Sequence, residues 1–213
     1  MKSRPNPAKR ECHAEADTLV YTIDNRLYVN LTDRCTLACR FCPKHNGSKD
    51  VHDYNLTLSE RPDVQKIIDL IGDPAQYAEV VFCGYGEPTL RLNALIEIAS
   101  AIKANDGKTR LNTDGLANLF HKKNVIPLLA TCIDAISISL NAQNEHLYTQ
   151  HCAPGLPHSF PAVLSFIEDA AQSIPDVTAT AIDGLEGVDI HACEALAVAR
   201  GAKFKARMLD IVG

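Results

Sequence analysis

The sequence predicts an α/β fold, a partial (βα)6 TIM-like barrel of mostly parallel strands with an N-terminal hairpin. The first observation is that short apolar and β-branched segments alternate along the chain with longer segments of helical periodicity, as in proteins with a parallel sheet. The second is length, because eight such units close a TIM barrel in about 250 residues. This chain has six units in 213 residues, which predicts an open barrel.

The chain begins with a predicted β-hairpin and a first helix. Residues 18–31 read as two short strands joined by a turn. The helix is predicted over 57–72, with a capping box formed by Thr57 and Glu60 and with Gly72 at its end. Its apolar stripe consists of Val64, Ile67, Ile68 and Ile71.

Strands and helices alternate through the rest of the chain. Further strands are predicted at residues 78–84, 109–113, 134–141, 176–182 and 203–209. Helices are predicted at residues 92–106, 125–132, 159–173 and 189–201. Asp189 is the expected N-cap of the last helix and Gly201 its expected end.

Several predicted strands alternate polar and apolar side chains, although parallel strands covered on both faces are usually apolar throughout. Ser137 and Ser139 alternate with isoleucines, and Thr178 and Thr180 share one face of their strand. One face of the sheet is therefore polar. Two interpretations stay open: small polar groups that are solvated or packed, and a polar lumen that binds a ligand at the carboxyl ends of the strands.

Composition is that of a soluble globular protein, with 46% hydrophobic and 22% charged residues. The net charge of -5 predicts no broad electrostatic surface for nucleic acid. No apolar run approaches the ~20 residues that cross a membrane, and the polar start does not resemble a signal peptide. We expect a flexible leader at 1–16, a single core domain at 17–213, and a cytoplasmic location, where eight cysteines point to metal or redox chemistry.

Three cysteines, Cys35, Cys39 and Cys42, lie in the segment DRCTLACRFCP, directly after a predicted strand. Three thiolates at a strand end can hold three corners of an iron–sulfur cube. The missing fourth ligand would leave one iron open to a bound molecule, as in open metal sites. The triplet alone also fits a structural zinc site with His45 as the fourth ligand.

The pattern Cys35-x-x-x-Cys39-x-Phe41-Cys42 resembles the signature of the radical S-adenosylmethionine (radical SAM) superfamily. The segment GYGEP at 84–88 resembles the family's second mark, a Gly-Gly-Glu-Pro stretch after a strand, with tyrosine in place of the commoner second glycine. LYVNLTDRCTLACRFCPK and GYGEPTLRLN further resemble a subgroup associated with TatD-type nucleases. Glycyl-radical-activating enzymes and carboxy-deazaguanine synthases are the nearest competitors.

The resemblance implies a radical SAM enzyme in which Cys35, Cys39 and Cys42 ligate a [4Fe-4S] cluster. SAM would bind the open iron through its amino and carboxylate groups. An electron from a flavodoxin- or ferredoxin-type reductant would cleave SAM to a 5′-deoxyadenosyl radical that abstracts hydrogen from an unidentified substrate. The open side of a short barrel would admit a macromolecule, with a small molecule in the lumen as the alternative, and a functional link to a TatD-type nuclease is expected.

The resemblance also implies which residues bind SAM. The family's glycine-rich stretch hydrogen-bonds the SAM amino group, which assigns this role to Gly84, Tyr85, Gly86 and Glu87. The expected contacts to the ribose and carboxylate come from strand ends, at Asn112, Ser139 and Asn141. Phe41 is expected to pack on the adenine or shield the cluster, with a plain core position as the alternative.

Weaker expectations concern other strand ends. Asp114 reads first as a turn residue and is kept as a further candidate contact to SAM, and Ile182 and Gly184 are placed beside the adenine by the resemblance. Lys205 and Arg207 would bind an anionic substrate group or be solvated charges of an edge strand.

Of the other cysteines, Cys83 and Cys193 are expected in the core, and none has the spacing of a second cluster. The Pro- and Gly-rich loop 151–161 would close over a substrate or simply connect two helices. The rival interpretation from another class is a zinc-stabilised binding protein, which would be colourless and hold zinc tightly.

Overall fold

The computed structural model describes residues 17–45 and 50–209, so the predicted leader at 1–16 lies outside the described residues. The strands are β1 (Val20–Ile23), β2 (Arg26–Val29), β3 (Asp50–Val51), β4 (Tyr54–Asn55), β5 (Glu79–Phe82), β6 (Thr109–Thr113), β7 (Ala135–Ser139), β8 (Asp176–Asp183) and β9 (Lys203–Met208). The α-helices are α1 (Val64–Ile71), α2 (Leu92–Ala104), α3 (Ala117–His121), α4 (Ile126–Leu129), α5 (Glu145–Cys152), α6 (Ser159–Ala171) and α7 (Ile190–Val198).

Seven strands form one sheet in the order β1-β2-β5-β6-β7-β8-β9, and β3 and β4 form a separate two-stranded ribbon. β1 and β2 are the predicted antiparallel hairpin, and every neighbouring pair from β2 to β9 is parallel. Six parallel strands therefore follow one another in chain order, as the sequence predicts. Within the described ranges, no helix is long and apolar enough to span a lipid bilayer.

One face of the sheet is apolar and packs against helices. Phe82, Leu111 and Ile136 lie in register on three neighbouring strands, and all three are fully buried. They belong to one continuous core with Leu95 of α2 and Phe166 of α6. Burying each such side chain contributes about 1.5–3 kcal/mol to the free energy of unfolding, so this face holds the sheet and helices together.

The opposite face is polar, because side chains alternate between the two faces of a strand. Asn112 is in register with Ser137, and Ser139 is in register with Thr180. This row of small polar groups runs across the middle of the sheet and ends at a cavity at the carboxyl ends of the strands. The sequence-predicted polar face therefore lines this cavity.

A chain of ion pairs crosses the polar face at the amino ends of the strands. Glu79 accepts from Arg26 Nε at 2.7 Å and from Arg110 Nε at 2.8 Å. Asp176 lies 4.0 Å from Arg110 Nη2 and 3.0 Å from Lys203 Nζ. These ion pairs connect five strands at their amino ends. The cavity lies at the opposite, carboxyl ends of the strands.

The first helix begins later than the sequence predicts. α1 starts at Val64, and its N-cap is Asp63, whose side chain accepts from Lys66 N at 2.9 Å. The predicted capping box at Thr57–Glu60 therefore does not cap it. Pro62 explains the difference, because a proline disfavours helical backbone at the residue before it.

Three other predicted helix boundaries are confirmed. Asp189 caps α7 by accepting from the backbone N of His191 at 2.9 Å and of Ala192 at 3.1 Å. Gly72 follows α1 with a φ of 62°, and Gly201 follows α7 with a φ of 78°. Both glycines adopt the left-handed φ that ends many helices.

Candidate active site

The candidate site lies at the carboxyl ends of the parallel strands, where the loop after β2 (the cysteine loop, residues 30–42) meets the ends of β5, β6 and β7. A cavity of about 220 Å³, called the lumen cavity below, lies between them. It brings together most of the predicted site residues, namely Cys35, Cys39, Phe41, Tyr85, Gly86, Glu87, Asn112, Ser139 and Asn141. Predicted residues that do not line it, as far as the chain is described, are Cys42, Gly84, Ile182, Gly184 and Lys205.

Backbone hydrogen bonds fix the cysteine loop to the end of α5. Ala38 N donates to Cys152 O at 3.1 Å, and Arg40 N donates to His151 O at 2.9 Å. Gly155 N donates back to Thr36 O at 2.9 Å. The start of the predicted loop 151–161, which connects α5 to α6, therefore also holds the cysteine loop in place.

Charge on other cysteines of the triplet contributes to raised pKa values of Cys35 and Cys39. Burial is the main cause that raises the pKa of Cys35 to about 12, with smaller contributions from the Asp114 carboxylate and Cys42. A hydrogen bond with the Cys152 thiol is the largest cause that raises the pKa of Cys39, followed by burial and then by charge on Cys35 and Cys42. The three sulfurs therefore share one neighbourhood.

Among the described residues, no three His, Cys, Asp or Glu side chains are arranged to hold a single metal ion. The ligands of a zinc site surround one ion. In a [4Fe-4S] cube, by contrast, each cysteine binds a different iron, so the ligand sulfurs need not converge on one centre. The His45 side chain lies outside the described residues.

Two glycines let the turn after β5 pack directly against the cysteine loop. A Cβ on Gly84 would lie 2.2 Å from Asn30 Oδ1. A Cβ on Gly86 would lie 2.3 Å from Arg34 O and 2.5 Å from Thr32 O. Glycine is needed at both positions because backbone and side chain of the loop after β2 already occupy the space of any Cβ.

Glu87 organises the turn from a buried position. Its Oε1 accepts from Thr89 Oγ1 at 2.6 Å and from Thr113 Oγ1 at 2.8 Å, and its Oε2 accepts from Asp114 N at 2.7 Å. Its backbone N donates to Arg34 O at 2.8 Å. Both carboxylate oxygens are therefore engaged within the protein, and Glu87 ties the ends of β5 and β6 to the cysteine loop.

Asp114 extends this network and is more than the turn residue the sequence predicts. Thr36 Oγ1 of the cysteine loop donates to Asp114 Oδ2, and Leu116 N donates to Asp114 Oδ1 at 2.9 Å. Burial, with the nearby Glu87 carboxylate as a second cause, raises the pKa of Asp114. The Asp-Gly turn itself is confirmed, since Gly115 has a φ of 78°.

Several buried polar atoms at the lumen cavity have no partner among the described residues. They are Asn112 Oδ1, Asn141 Oδ1 and Arg207 Nε. Buried polar groups in native proteins are nearly always hydrogen-bonded, so orphaned atoms at a cavity indicate a missing polar ligand. Two acceptors and one cationic donor thus surround the same space.

Sequence reasoning missed some residues of the site. Cys83 was expected in the apolar core, but it lines the lumen cavity, because it follows Phe82 and so points to the opposite face. Cys193 is buried in the core as expected. Cys152, whose thiol contacts Cys39 and accepts from Asn141 Nδ2 at 3.5 Å, has no spacing to the triplet that would have revealed it.

Comparison with known proteins gives a family match for most of the chain. A family model of the radical SAM superfamily matches residues 29–198. The GTP 3′,8-cyclase of Streptomyces coelicolor is 27% identical over 147 residues, which are 68% of this chain and 41% of that enzyme. The chain therefore spans about two fifths of the length of this curated relative.

Solved structures show the same fold at low sequence identity. Streptococcus suis SuiB bound to its precursor peptide SuiA has a TM-score of 0.66 at 14% identity, over 90% of this chain and 40% of SuiB. SuiB bound to S-adenosylmethionine has a TM-score of 0.66 at 15% identity, over 87% of this chain and 41% of SuiB. The maturase HydG from Carboxydothermus hydrogenoformans has a TM-score of 0.61 at 18% identity, over 87% and 44%. These likenesses confirm the predicted partial barrel.

Proposed function

Because this chain belongs to the radical SAM superfamily and is an enzyme, we propose that Cys35, Cys39 and Cys42 hold a [4Fe-4S] cluster beside a lumen that binds SAM. The observation that carries this proposal is that neighbouring thiols and orphaned amide oxygens meet at one cavity. When bound, the cluster and SAM supply a 5′-deoxyadenosyl radical that takes a hydrogen atom from the substrate. The protein residues position the reacting groups and exclude water.

The cysteine loop owes its shape to contacts on two sides. On one side α5 clamps it through Ala38 and Arg40, and on the other side the turn after β5 packs against it at Gly86. The thiol of Cys152 forms a hydrogen bond with the thiol of Cys39. A loop held in this way presents its cysteines with little freedom, which lowers the entropy cost of binding a cluster.

Asn112 and Asn141 are proposed to bind SAM through their side-chain oxygens. Both oxygens are acceptors without donors among the described residues, and SAM carries donors on its amino group, ribose hydroxyls and adenine amino group. Asn141 is already oriented, because its Nδ2 donates to Cys152. Ser139 lines the same wall and adds a hydroxyl.

The turn after β5 is proposed to contact SAM through its backbone. Tyr85 and Gly86 line this edge of the cavity, Gly84 directly precedes them, and Glu87 holds the turn in place through its buried network. Glu87 is therefore proposed as a positioning residue. Phe41 is half-buried at the cavity wall, where it would exclude water from the cofactors.

Arg207 is proposed to bind an anionic group of the substrate. It lines the lumen cavity with Ser137 and Thr180, and its Nε is buried without an acceptor. Arg207 takes part in none of the ion pairs between described residues, whereas Arg110 and Lys203 on the same face do. A buried guanidinium nitrogen without a hydrogen-bond acceptor is costly, and an anionic ligand would offset that cost.

The remaining expectations stay proposals. They are a core domain at 17–213, a flavodoxin- or ferredoxin-type reductant, a macromolecular substrate, a cytoplasmic location and a link to a TatD-type nuclease. SuiB, which shares this fold, has been solved with a precursor peptide, and this likeness favours a peptide among macromolecular substrates. A glycyl-radical activase or a carboxy-deazaguanine-synthase-like enzyme is the alternative within the superfamily.

The experiment that tests the cysteine assignment compares two single cysteine variants after anaerobic iron–sulfur reconstitution. Cys39→Ala is expected to lose most bound iron and to reduce 5′-deoxyadenosine formation from SAM at least a hundredfold, because one cluster ligand is removed. Cys193→Ala, which changes a thiol buried in the core away from the lumen cavity, is the matched control and should retain both. Equal SAM cleavage by the two variants would refute the ligand set.

A further inference from the structure

A second cavity adjoins the cysteine loop, and we propose that it binds a small phosphorylated molecule. Its volume is about 450 Å³, within the range of about 300–1,000 Å³ typical of small-molecule sites. Three parts of the chain line it: the start of the cysteine loop at 31–36, the segment 58–62 before α1, and Leu90 and Arg91 with Phe120 of α3. It shares only Cys35 with the lumen cavity, so it is a separate space.

Three arginines, Arg34, Arg61 and Arg91, line this arginine cavity. In the part of the chain that the structure describes, none of them forms an ion pair with a carboxylate. The cavity wall also contains Asp33 and Glu60, which leaves an excess of one positive charge. Unpaired guanidinium groups around a concave space attract anions.

Arg91 is the most constrained of the three. Its Nη1 donates to Leu31 O at 3.0 Å, which fixes the guanidinium, while its Nε is buried and has no acceptor among the described residues. Burial lowers the pKa of Arg91, and the positive charge of Arg61 lowers it further, against an opposing effect of Asp63. Two cations are thus held near each other, with one donor unused.

The arrangement suits a phosphoryl group better than a carboxylate. A carboxylate has two oxygens, which the fork of one arginine can occupy, whereas a phosphoryl group has three acceptor oxygens and can bridge two arginines. The rest of the ligand would contact apolar wall, because Leu58 lines the cavity and Phe120 is 43% exposed. The geometry thus fits a small organic phosphate.

A fluorescence titration tests this site without cluster or SAM, so its outcome is independent of the proposed reaction. The chain has no tryptophan, and a Phe120→Trp variant of the full chain would carry a single reporter at the cavity. Inorganic pyrophosphate is the probe, and we expect a saturable change in emission. Val198→Trp, at a 61% exposed position on α7 that does not line the cavity, is the matched reporter and should not respond.

The contribution of charge is tested in the Phe120→Trp background. Arg61→Ala should weaken pyrophosphate binding about tenfold, as expected for the loss of one charged hydrogen bond of about 1.4 kcal/mol. Lys108→Ala, which removes an exposed positive charge outside the cavity, should leave the affinity unchanged. No saturable response of the Phe120→Trp variant, an equal response of both reporter variants, or equal affinity after Arg61→Ala would overturn the proposal.

Discussion

The backbone of the turn after β5 packs against the cysteine loop at Gly86, and this close contact leaves no space for a side chain at that position. The resemblance implies that this glycine belongs to the stretch that hydrogen-bonds the SAM amino group. The structure adds a second reason, because a Cβ at this position would lie 2.3 Å from Arg34 O. The obstacle is main chain, which cannot rotate away as a flexible side chain would.

Gly86→Ala is therefore expected to destabilise the protein by about 1–3 kcal/mol, the usual cost of overpacking. For a chain of this size, thermal unfolding should occur about 2–12 °C lower, which calorimetry can measure. Gly155→Ala is the comparison variant, because its Cβ would lie 3.3 Å from Thr36 O and needs only a small adjustment. Equal unfolding temperatures for the two variants would contradict the packing argument.

Asp114 and Glu87 form long-range hydrogen bonds that a local sequence pattern does not predict. Asp114 precedes a glycine, which is enough to predict a turn, but its contact with Thr36 joins residues 78 positions apart. The same holds for Glu87, whose partners lie on β6 and directly after it. Sequence proximity predicts turns and caps, whereas these networks depend on which strands become neighbours in the fold.

At the scale of elements, most helices and strands follow from apolar periodicity and from end signals. The exceptions have local physical causes. Residues 57–61 have a capping box without a helix, since Pro62 and Asp63 set the start of α1. The five-residue helix α3 and the two-residue strands β3 and β4 are too short for any periodicity to reveal them.

The ion pairs at the amino ends of the strands are contacts between strands that the sequence did not predict. Arg26 and Arg110 are far apart in the chain, yet both bind Glu79, because β2, β5 and β6 are adjacent and in register. Glu79 therefore bridges the first three parallel strands of the sheet.

Glu79→Gln should lower the free energy of unfolding by about 1 kcal/mol at low salt, since partly exposed ion pairs contribute about 0–1 kcal/mol each. The loss should shrink in about 1 M NaCl, where the screening length is about 3 Å. Urea unfolding at both salt concentrations measures it. Glu97→Gln, at an exposed position of α2, is the control, and an equal effect of the two changes would contradict the bridging role.

At the scale of the whole molecule, the two faces of the sheet have different tasks. The apolar face and its helices form the core, while the polar face carries the lumen cavity at one end and paired charges at the other. The alternating strands at Ser137 and Thr178 let the sequence predict this polar face. The same alternation did not predict which charged side chains pair with each other, because the pairing depends on the register between neighbouring strands.

Superfamily membership could be predicted from two short motifs. Ligation of an iron–sulfur cluster demands cysteines at fixed spacing, and close backbone contacts demand the glycines of the second motif. The substrate could not be predicted, because the residue proposed to bind it, Arg207, lies on the last strand, where a polar side chain is equally compatible with solvent exposure. The chain also spans about two fifths of its curated relative, so that enzyme's activity does not transfer to this chain.

The most direct test of the central claim is electron paramagnetic resonance of the reconstituted, reduced protein before and after addition of SAM. We predict about four irons per chain and a [4Fe-4S] signal that changes when SAM is added, because three cysteines leave one iron open. A protein that binds zinc in place of iron, or a cluster signal that SAM leaves unchanged, would contradict it.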